Sequence, residues 1–336
     1  MSFYQDQKMV FEFINLKSEN ILNNLKQISF NDDSTILLTI QKSQIQTYFN
    51  KRENLKRISS FKVPKDAYFS QLQYLTFTNQ FIAIPKSQIL ISSLCTLNSK
   101  KIVLKVQHNF CSCYKLLLNK NENILFISYF NEIHIFEKQI IAWQCIDTLQ
   151  SLSHRDTIEQ ISLSLDEDQL VIHTSNGYSG SPAILVYKKQ YIDKQIQWVL
   201  KQRINQENGE LIGFLNNNQF LFLDYYSTQI YTLNKENQKF ECTNSINFRQ
   251  SNFQFKSFVF WHKNQILLII TQDNISVMQL QKLQILSQLQ SIQIDISKSI
   301  DVDFATNEFH SILTNDGKYL FIWNKRNTQI IRILYI

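Results

Sequence analysis

Apolar and polar positions along this chain alternate in short runs of four to eight residues, each ended by a polar cluster, and apolar spacings of three and four residues are nearly absent. Strict alternation marks a strand with one face in water, and a short unbroken apolar run marks a strand covered on both faces, so the pattern predicts an all-β protein. The first clear unit, LKQISFNDDSTILLTIQKSQIQTYFNKRENLKRISSFK at 25–62, parses as four consecutive strands joined by NDDS, QKS and NKREN. Six further copies align on the position of Phe30: Tyr74, Leu118, Leu163, Phe214, Phe260 and Phe304, spaced 44 to 51 residues apart. Behind each anchor comes a second apolar run, in turn ILLTI, FIAI, ILFISYF, LVIH, FLFLDYY, ILLII and FHSIL, and then a hairpin into a third.

A repeat of about 40–45 residues carrying four strands has the period of a β-propeller blade. One sheet of this composition cannot hide two apolar faces by itself; stacking on neighbours does so, and closing the stack into a ring leaves no outer face in water. The expectation is therefore an all-β fold, a seven-bladed β-propeller of four-stranded antiparallel blades forming one domain over 1–336. Its blades fall near 25–62, 69–108, 114–149, 158–204, 210–246, 255–290 and 299–336, with the first strand of each lining a central channel. QIIRILYI at 329–336 reads as the fourth strand of the last blade, and VFEFINLK at 10–17 competes for the same edge or adds to it.

Three copies carry more than the period. SILTNDGKYLFIWNK at 311–325 has Asp316 in a tight turn and Trp323 before Asn324, ITQDNISVM has Asp273 in its turn, and SHRDTIEQISLSLDEDQL has His154 ahead of the first strand. On these residues the chain resembles the WD-repeat family, in which Gly-His precedes the innermost strand, an Asp sits between the second and third strands, and Trp-Asp ends the third. The resemblance implies structural roles for His154, Asp273, Asp316 and Trp323, and a ring used for assembly with other proteins. No copy holds all the members of the family's intrablade hydrogen-bonded network, so blade stability rests mainly on apolar packing, at roughly 25 cal/mol per Å² buried.

Composition sharpens this picture. Five Gly and 3 Pro in 336 residues leave the turns to Asn, Asp and Ser, which tolerate positive φ. With 44% hydrophobic and 18% charged residues the chain has the apolar content to fold. The formal charge of +6 is scattered in small groups such as KRENLKR, without the clustering a nucleic-acid stripe requires, so nucleic acid is disfavoured as a partner. Five cysteines without a C-x-x-C pair fit a reducing interior. MSFYQDQKMVFEF has neither the basic start nor the apolar stretch of a signal peptide, and no run is long enough to span a bilayer, so the expectation is a cytoplasmic chain.

The search for chemistry gives little. GYSGS at 177–181 departs from the nucleophile elbow G-x-S-x-G at Ser181 and no helix follows it. His108, Cys111 and Cys113 fall short of the four ligands of a structural zinc site, and the glycines form neither G-x-G-x-x-G nor a P-loop. No catalytic residue, metal or cofactor is assigned. His154, Arg155 and Asp156 make a compact polar trio leading into the fourth copy, and the long interval after that copy's anchor adds NGYSGS and KKQYIDKQIQ, with Tyr178, Tyr191 and Trp198. The leading reading is a non-catalytic scaffold for protein or peptide partners in a larger assembly. It would bind through residues entering the innermost strands and on the second hairpin turns: Tyr68, Phe110, Arg155, Tyr178, Tyr226, Arg249 and Lys298. The alternatives are a propeller enzyme with carboxylates or histidines converging on the channel mouth, and a non-catalytic subunit of an RNA-modifying complex, which the mild positive charge permits.

Overall fold

A strand that is apolar at every position needs a cover on both faces, and the computed structural model of this chain provides it by standing sheets side by side. The structure describes residues 9–14, 25–41, 44–51, 54–62, 69–85, 88–93, 102–105, 113–140, 142–150, 156–176, 182–192, 195–206, 209–224, 227–247, 255–261, 266–271, 275–279, 310–314, 316–323 and 328–335. After β1 (Met9–Ile14), the first sheet is β2 (Leu25–Phe30), β3 (Ile36–Gln41), β4 (Gln44–Lys51) and β5 (Asn54–Lys62). The second is β6 (Phe69–Leu75), β7 (Gln80–Pro85), β8 (Gln88–Ser93) and β9 (Ile102–Lys105). The third is β10 (Cys113–Leu118), β11 (Ile124–Tyr129), β12 (Glu132–Lys138) and β13 (Trp143–Gln150). The fourth is β14 (Asp156–Leu163), β15 (Gln169–Asn176), β16 (Ala183–Ile192) and β17 (Gln195–Asn205), and the fifth β18 (Gly209–Asn216), β19 (Gln219–Asp224), β20 (Ser227–Asn234) and β21 (Lys239–Asn247). β22 (Phe255–Trp261), β23 (Ile266–Thr271) and β24 (Ile275–Gln279) form a three-stranded sheet. The last sheet has the order β1-β27-β26-β25, from β25 (His310–Leu313), β26 (Tyr319–Trp323) and β27 (Thr328–Tyr335).

Alternate side chains of the second strands serve different neighbours. Ile124 and Phe126 of β11 pack with Leu170, Ile172 and Trp198 of the fourth sheet, while Leu125 and Ile127 pack with Ile82 and Ile84 of the second. Leu38 and Ile40 join Tyr74 and Phe81, and Val171 joins Phe214, Phe220 and Phe222. The seam between the chain's two ends is of the same kind: Phe30, Leu37 and Tyr48 of the first sheet meet Phe321, Trp323 and Ile330 of the last, with the Phe30 and Phe321 rings 4.8 Å apart. Hydrogen bonds donated by the innermost strands cross the seams. The Tyr74 N–H donates to Ser29 Oγ at 2.9 Å, the Phe214 N–H to Ser162 Oγ at 3.0 Å, and the Ile158 N–H to the Phe130 carbonyl at 2.6 Å.

The anchor positions up to Phe260 sit in one register, opposite the second strand in each case: Phe30 with Leu37, Tyr74 with Phe81, Leu118 with Leu125, Leu163 with Leu170, Phe214 with Phe220 and Phe260 with Leu267. Three expectations change. Seven four-stranded blades become six, because the copy at 255–290 supplies three strands among the described residues. In the last copy Phe304 lies outside the described residues, and the anchor's place opposite the second strand is taken by Leu313, which faces Leu320. Asp316 is consequently in the turn between first and second strands, and Trp323 ends the second strand instead of the third, so neither occupies the position the WD pattern assigns. The reason is visible in the turn: Thr314 to Tyr319 repeats the hydrogen bonding of Asn31 to Ile36, which joins β2 to β3. Finally, β27 and β1 share the outer edge, β27 third and β1 fourth, with Met9 opposite Tyr335 and Ile14 opposite Ile330.

Trp323 is 3% exposed in the seam that joins first and last sheets. Trp323→Ala is expected to cost about 3–5 kcal/mol of unfolding free energy, as for other buried aromatic truncations. Denaturant titration of the two proteins checks this, and unchanged stability would mean that the seam is not closed through this ring.

Candidate interaction face

Antiparallel meanders send their connections to two mouths of the ring. First-to-second and third-to-fourth turns open on one; second-to-third turns and the links to the next sheet open on the other. Tyr68, Phe110, Arg155 and Arg249 fall in links between sheets, Lys298 between β24 and β25, and Tyr178 and Tyr226 between second and third strands. These seven, together with His154 and Asp273, lie outside the described residues. The two aromatic candidates inside them part company: Trp198 is buried against Phe126 at 5.6 Å, and Tyr191 stands 73% exposed on the extended β16–β17 hairpin, at the opposite mouth from Tyr178's connection. KKQYIDKQIQ is thus mostly a lengthening of two strands, with Lys189 Nζ 5.9 Å from the centre of the Tyr191 ring.

At the mouth of first-to-second turns, one loop geometry recurs in four sheets. A side-chain oxygen at its first residue accepts the N–H five residues on: Asn31 from Ile36 at 2.8 Å, Asn119 from Ile124 at 2.8 Å, Ser164 from Gln169 at 3.0 Å and Thr314 from Tyr319 at 3.0 Å. The fourth residue donates its N–H to the first carbonyl and has positive φ, at Ser34, Glu122, Glu167 and Gly317. Short polar side chains at the first position satisfy the backbone where the chain reverses, which is why these residue types mark turns.

Two of these fourth residues reach across a seam. The Glu122 carboxylate accepts the N–H groups of Thr76 at 2.5 Å and Phe77 at 3.0 Å in the second sheet's turn. Glu167 accepts the Lys120 N–H at 2.6 Å and Asn119 Nδ2 at 3.0 Å in the third. The Asp166 N–H in turn donates to Asn217 Oδ1 of the fifth sheet at 3.0 Å. A chain of staples therefore runs along the second to fifth sheets, and the Phe77 side chain, 68% exposed, sits on a turn pinned by its neighbour.

Titrating groups follow these bonds. The Thr35 hydroxyl, 2.7 Å away, holds Asp33 below its ordinary value of 3.8 against a slight upward push from burial. Burial pushes Asp166 up, but hydrogen bonds from Ser164 Oγ and from Asp168 outweigh it and leave the group low. Asp168 is raised by burial and by the bond and charge of Asp166, so the two carboxyls titrate as a pair. Burial, with the Cys242 and Asp224 charges, pushes Tyr231 up to about 12, and its hydroxyl lies 2.8 Å from Gln229 Oε1 and 3.1 Å from Gln206 Oε1, which share its one proton.

The described part of the other mouth holds the Phe130 turn and the heads of β14 and β20. Glu132 accepts from Gln150 Nε2 and lies 3.3 Å from His134 Nε2; Glu159 accepts from Ser175 Oγ at 2.7 Å; Asp224 accepts from Ser227. His134 and His173 are buried in β12 and β15, inside the walls and not poised over the channel. No group of three metal-binding side chains occurs among the described residues.

No family model and no curated protein matches the chain. Among solved structures it is similar to a chain of Kuenenia stuttgartiensis hydrazine synthase, with a TM-score of 0.67 and 9% identity, covering 92% of this chain and 95% of that one. The fold is a β-propeller. At such low identity the likeness says nothing about chemistry. The propeller carries six four-stranded antiparallel blades among the described residues, and no helix in them is long and apolar enough to cross a membrane.

Two measurements probe the staples and turns. Glu167→Ala leaves the Lys120 N–H without its acceptor and Asn119 Nδ2 with only Asn123 Oδ1, and should lower stability by about 1–2 kcal/mol; an unaltered denaturation midpoint would show that water replaces the carboxylate. For Asp33, a depressed native pKa means stability that is present above the unfolded value and lost as pH falls through the native one. The native chain should therefore exceed Asp33→Asn in stability at about pH 6, and the gap should shrink as pH drops below 3.8. Paired melting curves across that range check it, and a gap that widens in acid would reverse the sign.

Proposed function

We propose that the chain is a non-catalytic, WD-repeat-like propeller scaffold that docks a protein or peptide partner in a larger assembly, inside the cytoplasm. The observation that carries this reading is the convergence of strand ends: the connections bearing Tyr68, Phe110, Arg155, Tyr178, Tyr226 and Arg249 start and finish at one mouth of the frame, and the one bearing Lys298 returns to it at the head of β25. Loops displayed by a rigid frame are where recognition residues concentrate, and Arg and Tyr bury large areas with directional bonds. The likeness to WD-repeat proteins rests on the period and on four-stranded blades, since the last copy's Asp316 and Trp323 lie elsewhere in the blade. The three-stranded sheet at 255–279 counts, in this reading, as a seventh blade of the ring.

Tagged protein purified from its own cells and weighed for co-purifying chains tests the proposal. A stoichiometric neighbour, lost when Arg155 and Tyr178 are replaced by Ala while the melting temperature is unchanged, is the expected outcome. A lone chain that turns over a small substrate would replace the scaffold with an enzyme.

A further inference from the structure

Asp156 stands first on β14, at the mouth where the candidate connections end. It is 6% exposed, and its Oδ1 has no hydrogen-bond partner. The other carboxylates described at this mouth, Glu132, Glu159 and Asp224, each accept a side-chain hydrogen bond. Asp156 and Ile158 alternate with Thr157 and so share one face of β14. Ile158 packs on that face with Ile133, Leu149 and Ala183, which puts the carboxylate at the mouth end of the apolar seam between the third and fourth sheets. The Ile158 N–H donates to the Phe130 carbonyl at 2.6 Å, so the Phe130 turn lies alongside, its residue 39% exposed.

A buried carboxylate with an unpaired oxygen costs the fold free energy and returns none, unless a cation arrives to pair with it. The ladder does not require an acid here. A neutral polar residue at the head of β14 would leave its backbone bonds intact.

We propose that Asp156 receives a cationic side chain, arginine or lysine, from the docked protein partner. The head group pairs with the carboxylate at the mouth end of the seam, and the methylene stem lies on the apolar seam beside Phe130. This deepens the scaffold reading and rests on it. It also sets a polarity, since the same carboxylate repels a phosphate backbone or an acidic peptide.

The test uses the purified full chain and fluorescently labelled hexamers of arginine, lysine and glutamate, read by anisotropy. The native chain is expected to bind a cationic hexamer and not the acidic one, and Asp156→Asn to weaken that binding by about tenfold or more, the loss of one charge-assisted hydrogen bond. Asp156→Asn should melt at or above the native temperature, because the amide removes an unpaired charge. Glu159→Gln, on the other face of the strand, should leave the affinity unchanged. Equal binding by native and Asp156→Asn protein, equal losses in both variants, or no binding of either cationic hexamer would overturn the proposal. So would an Asp156→Asn protein that melts well below the native one or fails to fold, since the carboxylate would then have a partner within the fold. None of these outcomes depends on the co-purification experiment, which judges the scaffold reading separately.

Discussion

The structure depends on two-sided burial of the second strand in each blade. β3, β11, β15 and β19 are apolar on both faces, and successive residues enter different seams: Leu37 meets the last sheet, Leu38 the second. A single blade would leave one of those faces in water, so each sheet is stable only between two others. Removing hydrophobic surface from water is non-directional, and it does not by itself fix which neighbour a sheet meets. Register comes from shape: the tilted Phe30–Phe321 pair, the edge-on Phe126–Trp198 pair and the serine hydroxyls that accept a neighbour's N–H at the inner strands. Because the seam of first and last sheets is built like the rest, and β1 completes the last sheet, both ends of the chain are held by the same closure.

Scarcity of glycine shapes the turns. The turn geometry shared by four sheets places its fourth residue at positive φ, and in three of those four a residue with a side chain takes it, at some backbone cost. Glu122 and Glu167 convert that cost into a contact, because a side chain leaving the left-handed position reaches the preceding blade's turn and caps its N–H groups. Gly317 relieves the strain but has nothing to reach with. The polar turns are therefore fasteners as well as reversals.

Much of the blade pattern is legible in the chain. The anchors from Phe30 to Phe260 occupy equivalent ladder positions because a period-two pattern with both faces apolar leaves little freedom of register. The last copy misleads for a local reason. FHSIL looks like a second strand when it is the first, and the signal that corrects it is the turn: TNDGK has a short side chain with an accepting oxygen, an Asp and a left-handed residue in the same places as NDDST. The candidate site is less legible. Its loops are visible as breaks in the pattern, but Asp156 reads as one acid in a polar trio, and only burial and an unpaired oxygen single it out.

By itself the sequence determined the strand content, the repeat, the polar turns and the need for stacked sheets, because each depends on residue type and near-neighbour spacing. The tertiary structure decided which strand closes the last sheet, which carboxylates cross a seam and which acid is left with an unpaired oxygen. Those depend on residues 40 or more positions apart meeting in space, as Ser29 meets Tyr74 and Glu122 meets Phe77, and no local pattern carries that information.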